Sequence, residues 1–167
     1  MNFIEAELCK RLVDILKGIF TDAGLEIEVD GNWLVDEFGG FKDVDSTGAG
    51  SKLYVTVSPR SYPEYTAKTA EMDVKLEADI RHDDSFDGRK VNAAYAKLID
   101  LLDLWHDDFG EMKKALAIQS TPTPTTYTYS FDPCGLRLSG GQWDRTSDPK
   151  GWSLDQSFTI KGRIKRS

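Results

Sequence analysis

The sequence predicts an α+β fold: a mainly antiparallel sheet of about five to six strands with two helices packed on one face. Three observations carry that prediction. Between Glu71 and Arg81 every even position is apolar (Met72, Val74, Leu76, Ala78, Ile80) and every odd position is charged. Such alternation marks a strand with one face on a core and the other in water. Soon afterwards the period changes, and Val91, Ala94, Tyr95, Leu98, Leu101, Leu102 and Trp105 fall at helical spacing. The other strand-like segments also show a single apolar face, as expected of an antiparallel sheet covered on one side.

In chain order, Ile4, Leu8, Leu12, Ile15, Leu16 and Ile19 recur at three- and four-residue steps. Acids in the first turn and Gly24 after the last apolar residue delimit a helix from Phe3 to Ala23. Gly18 weakens its second half by roughly 1 kcal/mol relative to Ala. The polar face mixes acids with Lys10, Arg11 and Lys17, which suits packing on a sheet better than lying on a membrane. Leu25, Ile27 and Val29 alternate with Glu26 and Glu28 in a short strand that the turn dipeptide Asp30-Gly31 ends. Trp33, Leu34 and Val35 form a candidate second strand, and Asp36 to Ser51 reads as a long mobile loop rich in Gly and Asp.

Leu53, Val55 and Val57 then form a strand that Pro59 stops. The connection from Ser58 to Ala70 reverses the chain, so this strand and the next are expected to be antiparallel neighbours. Asp84, Ser85 and Asp87 are competent N-caps for the second helix, which Asp107 and Gly110 end soon after Trp105. Leu116 to Ile118 reads as a short apolar return and Gln119 to Thr126 as a Thr/Pro linker. Tyr127, Tyr129 and Phe131 begin a β-rich last third. There Asp132-Pro133-Cys134-Gly135 reads as a turn, Leu136 and Leu138 follow, and Ser139 to Gly151 reads as a second polar loop containing Trp143. Trp152, Leu154, Phe158, Ile160 and Ile164 share the apolar phase of the last strand. Gly162 in that phase points to a bulge or a close backbone approach, and Gln156 breaks the pattern.

At 167 residues the chain is expected to be one domain, 1–167, with mobile loops near 36–51 and 139–151. A formal charge of −7 argues against a general nucleic-acid binder, which needs a basic surface. No apolar run approaches the roughly 20 residues of a membrane span. Met1 to Glu7 lacks the basic start of a signal peptide, and Cys9 and Cys134 are too few for a disulfide framework; both fit reduced thiols and a cytoplasmic origin.

No catalytic set is recognisable, and no cofactor is expected. Thr47 to Ser51 lacks the Lys-Ser/Thr pair of a phosphate-binding loop. His82-Asp83-Asp84 and His106-Asp107-Asp108 flank the second helix, whose span of roughly 30 Å keeps them from sharing one ion. Neither cluster alone offers the three or four ligands of a metal site; capping and solvation account for both. Two surfaces remain. The outward positions Glu71, Asp73, Glu77 and Asp79 form an acidic strand face, a solvated surface in an isolated domain and a channel or subunit surface in a ring. Lys161, Arg163 and Lys165 make the last strand a candidate to contact an acidic partner, although a basic terminus often serves only solubility.

The layout resembles the tail terminator and minor tail (tail completion) proteins of long-tailed bacteriophages and prophages. The resemblance rests on the helix Phe3 to Ala23 leading into Leu25 to Val29, and on the strand pair Leu53 to Val57 and Met72 to Arg81 with the helix Asp87 to Trp105 after it. It continues in a long polar loop before the strand Gln156 to Ile164. It implies a non-enzymatic ring, typically a hexamer, that stops tail-tube growth and joins the tube to the head connector. DNA would pass through without specific binding, no membrane would be involved, and the protein would reside in the virion tail after assembly in the bacterial cytoplasm. The alternatives are a small bacterial adaptor or immunity-type binding protein, or an enzyme whose site the sequence does not reveal.

Overall fold

The computed structural model describes residues 3–35, 51–63, 65, 69–81, 89–121, 127–147 and 150–166. Their elements are α1 (Ile4–Asp22), β1 (Ile27–Gly31), β2 (Ser51–Val57), β3 (Thr69–Arg81), α2 (Arg89–Asp107), α3 (Phe109–Leu116), β4 (Ile118–Ser120), β5 (Tyr129–Ser147) and β6 (Lys150–Arg166). They form an α+β fold around one six-stranded sheet of order β1-β2-β3-β6-β5-β4. The expected antiparallel pair β2–β3 is present, with Val55 opposite Leu76. The β1–β2 pair is instead parallel, which makes the sheet mixed.

The core lies between the sheet and the three helices. Leu8, Leu12, Leu16 and Phe20 of α1 meet Val29, Val55, Met72, Leu76, Phe158 and Ile160 of the strands, all buried. Gly24, at a φ of 72°, ends α1: its N–H donates to the Thr21 carbonyl and that of Leu25 to Phe20. This is the left-handed C-terminal cap that Gly24 suggested. On α2, Leu98, Leu102 and Trp105 are buried while Tyr95 and Leu101 are half-buried at the margin. The side chains of Val91 and Ala94, and the proposed caps Asp84, Ser85 and Asp87, lie outside the described residues.

Several local expectations are corrected. Asp30-Gly31 does not turn the chain but completes β1, with Gly31 opposite Val55. A Cβ at Gly31 would collide with the Cys9 sulfur and approach the Val55 carbonyl, so glycine lets α1 sit close to the sheet. Trp33 to Val35 is not one of the six strands of the sheet; the side chains of Asn32 and Trp33 tie down the end of β2. Asn32 exchanges hydrogen bonds with Val57 N and O, and the Trp33 indole donates to Val57 O at 2.8 Å.

A third helix, α3, follows α2 almost at once. As expected, α2 ends soon after Trp105, at Asp107, but the Asp108 carboxylate then accepts from the N–H groups of Gly110 and Glu111 and starts a new helix. The supposed turn Asp132 to Gly135 is a strand irregularity, and the polar segment 139–151 is mostly the far half of the β5–β6 hairpin. Its strands stay paired from Gly141 opposite Gln156 to Ser147 opposite Lys150, so backbone hydrogen bonds hold a stretch that has little apolar pattern. The loop expected at 36–51 lies outside the described residues except for Ser51, which opens β2.

One polar contact crosses the core boundary. Glu5, in the first turn of α1, is 5% exposed, and its carboxylate receives Arg60 N, Nε and Nη2 at 3.1, 2.7 and 2.8 Å. Burial works to raise the Glu5 pKa, but the hydrogen bonds and charge of Arg60 prevail and hold it below the usual value. The pair clamps the β2–β3 connection to the start of α1. No local sequence pattern announces a pair 55 residues apart.

Candidate functional site

Among the described residues no helix or strand covers the second face of the sheet, and the register sorts its side chains into rows. One row runs Glu28, Lys52, Asp79, Ser153 across β1, β2, β3 and β6. The next runs Asp30, Tyr54, Glu77, Asp155. Residues of these two rows line a concavity of about 230 Å³. Tyr54 lies within it and is only 8% exposed although it belongs to the uncovered face. Five carboxylates (Glu28, Asp30, Glu77, Asp79, Asp155) line this depression against one ammonium, Lys52. Lys75, one row further, bridges Glu77 at 2.9 Å, and that hydrogen bond raises its pKa.

Further along the same face the chemistry changes. Thr159 is buried between Arg137 and Asp73; its hydroxyl donates to Asp73 Oδ1 at 2.7 Å and accepts from Arg137 Nη2 at 3.5 Å. Glu71 stands opposite Lys161, and Arg163 stands between Thr69 and Asp132. Lys161 is half-buried, whereas Arg163 and Lys165 are exposed; Arg166, opposite Tyr129, has the other phase and belongs to the helix-side face, its guanidinium 4.4 Å from the centre of the Tyr127 ring. Asp132, 3.8 Å from Lys113 of α3, joins Glu71 and Asp73 among the acids at this end.

The structure therefore divides the predicted acidic set. Glu77 and Asp79 belong to the concavity, whereas Glu71 and Asp73 lie at the other end, beside Lys161 and Thr159. Lys161, Arg163 and Lys165 share the open face with all four acids. Glu28, Asp30, Lys52, Tyr54 and Asp155 were not singled out from the sequence. Their alternation was visible, but only the register shows that they meet.

The remaining chemical groups are dispersed. Cys9 is fully buried against Asn32 and the Val55 carbonyl, and burial pushes its thiol pKa up; Cys134 is exposed. His106 is exposed, 3.2 Å from the carboxylate of its neighbour Asp107, while His82, Asp83 and Asp84 lie outside the described residues. Among the described residues no group of three His, Cys, Asp or Glu side chains is placed to hold a metal ion. No helix of the described residues is long and apolar enough to cross a membrane. On the helix side, Ile19, Leu101 and Leu104 line a groove of about 350 Å³ between α1 and α2. In comparisons with known proteins, no family model matches the chain, and no curated protein matches it significantly.

Proposed function

We propose that this chain is a non-enzymatic assembly protein of phage or prophage tails, a tail terminator or completion protein. In this reading copies of the chain form a ring, of hexameric or other size, on the end of the tail tube and join it to the head connector. The observation that carries the reading is the open sheet face: a broad charged surface, with an acid-rich concavity toward one end and bases concentrated toward the other, on a domain whose other face is packed with helices. Such a surface binds over an area, which suits assembly with other subunits. The layout of helix, strand pair, helix and terminal hairpin supports the same reading. The acidic balance of the whole chain favours passage of a DNA duplex without adhesion. Assembly would take place in the bacterial cytoplasm and leave the protein in the virion tail.

Native mass spectrometry and negative-stain imaging, with and without tail-tube protein, test the proposal. The expected result is a closed ring that binds tube ends and stops their elongation. A monomer that leaves tube growth unchanged refutes it.

A further inference from the structure

The acidic concavity and the basic corner lie diagonally opposite each other. The first is next to the β1 edge, where β6 begins; the second is where β6 ends beside β5 and near the β4 edge. Along β6, Ser153 and Arg163 are ten residues apart, roughly 33 Å at the rise of an extended strand. The two patches stand on one continuous sheet, so neither can fold over to neutralise the other. Each already has partial local compensation, Lys52 and Lys75 at one end and Glu71, Asp73 and Asp132 at the other, where Arg137, Lys161, Arg163 and Lys165 still leave the bases in excess.

Two unlike, complementary patches near opposite edges of one face let identical subunits pair, either head-to-tail or reciprocally about a twofold axis. We propose that a second copy of this chain docks on the open face, seating its basic corner (Arg163 and Lys165) against the acidic concavity of the first. The occupant is argued from charge complementarity. Carboxylates crowd the concavity, and the matching cations project from the other end of the same chain on long, exposed side chains. The inference rests on the self-assembly reading above and assigns its interface. Asp30, Glu77 and Asp79 are partly sheltered and gain more from such pairing than the exposed Glu28 and Asp155, and opposite potentials speed the encounter. The contact is therefore expected to weaken as salt rises, because a Debye length of about 3 Å at 1 M screens charges that about 10 Å at 0.1 M does not.

Charge reversal on each side tests it. One variant carries Glu77→Lys and Asp79→Lys, the other Arg163→Glu and Lys165→Glu. Circular dichroism melts confirm folding, and a milder pair, Glu77→Gln with Asp79→Asn, replaces the first variant if that one does not fold. Sedimentation velocity on each protein and on an equimolar mixture gives the readout. Wild type should associate at low salt and dissociate at high salt, with Kd rising at least tenfold. Each reversed variant alone should be monomeric, the neutralised pair should associate more weakly than wild type, and the reversed mixture should reassociate at 1:1 stoichiometry. A wild-type ring that both variants retain, or a mixture that stays monomeric while wild type associates, overturns the interface and leaves the tail reading standing. Reassociation of the mixture into open chains or dimers upholds the interface and overturns the ring. A wild type that never associates overturns both.

Discussion

Replacing Glu5 with Gln removes one charge from the clamp between α1 and the β2–β3 connection while nearly preserving shape. In the wild type, the carboxylate takes a backbone N–H and two guanidinium donors from Arg60. The amide keeps one acceptor oxygen and turns an NH2 group toward a cation. Breaking a fully buried ion pair costs about 3–5 kcal/mol, whereas an exposed pair is worth about 0–1 kcal/mol. The Glu5 side chain is 7% exposed and that of Arg60 20%, so the guanidinium can recover part of its hydration from solvent. An intermediate loss of about 2 kcal/mol at pH 7 follows. Because the folded pKa of Glu5 is lowered, its stabilisation is fully present above the unfolded value of about 4.3 and is lost as pH falls through the folded value. The difference between wild type and Glu5→Gln should therefore be largest at neutral pH and shrink toward strongly acidic conditions. Urea unfolding of both proteins across that range measures it. A deficit under about 0.5 kcal/mol at pH 7, or one equally large in strong acid, would refute the reasoning.

The other predictions concern packing and thiol access. Leu98→Ala, which truncates a side chain 1% exposed on α2, should cost about 2–5 kcal/mol in a urea or thermal melt. Gly162→Ala should cost about 1–3 kcal/mol, because the added methyl would overlap the Phe131 ring and lie 2.9 Å from the Asp132 carbonyl oxygen. The same change should be milder in a Phe131→Leu background, which a double-mutant cycle would show. With a chromogenic disulfide reagent, exposed Cys134 should react in the folded protein and buried Cys9 only on unfolding.

The sequence disclosed what repeats with a period. The alternation of β3 and the stripe of α1 were legible because burial on one face writes itself into every second, third or fourth residue. Gly162 was also legible as a close approach, since it faces the Phe131 ring. Gln156, an exception in the apolar phase, is accounted for by the fold: its Nε2 donates to the Ser139 carbonyl at 2.9 Å beside the register shift between Leu138 and Gly141. That bulge depends on long-range pairing, so no local rule could announce it. The start of α3 did carry a signal, Asp108 followed three residues later by Glu111, which opens a new helix just after α2 ends at Asp107. The far half of the β5–β6 hairpin is held by backbone pairing, which leaves little trace in residue type. The concavity was invisible for a related reason. Glu28, Asp30, Glu77 and Asp155 come from three strands and meet only through a register that spans the whole chain.

The strand order has a consequence for synthesis. β6 follows every other strand in sequence, yet it lies in the middle of the sheet, with β3 on one side and β5 on the other. Until its 17 residues leave the ribosome, β1-β2-β3 and β4-β5 are separate pieces, each with a bare inner edge. Neither piece can join the other directly, so the final closure is late and cooperative. A nascent chain stalled before Lys150 should remain protease-sensitive and bind holdase chaperones, and release of the last strand should remove both properties together.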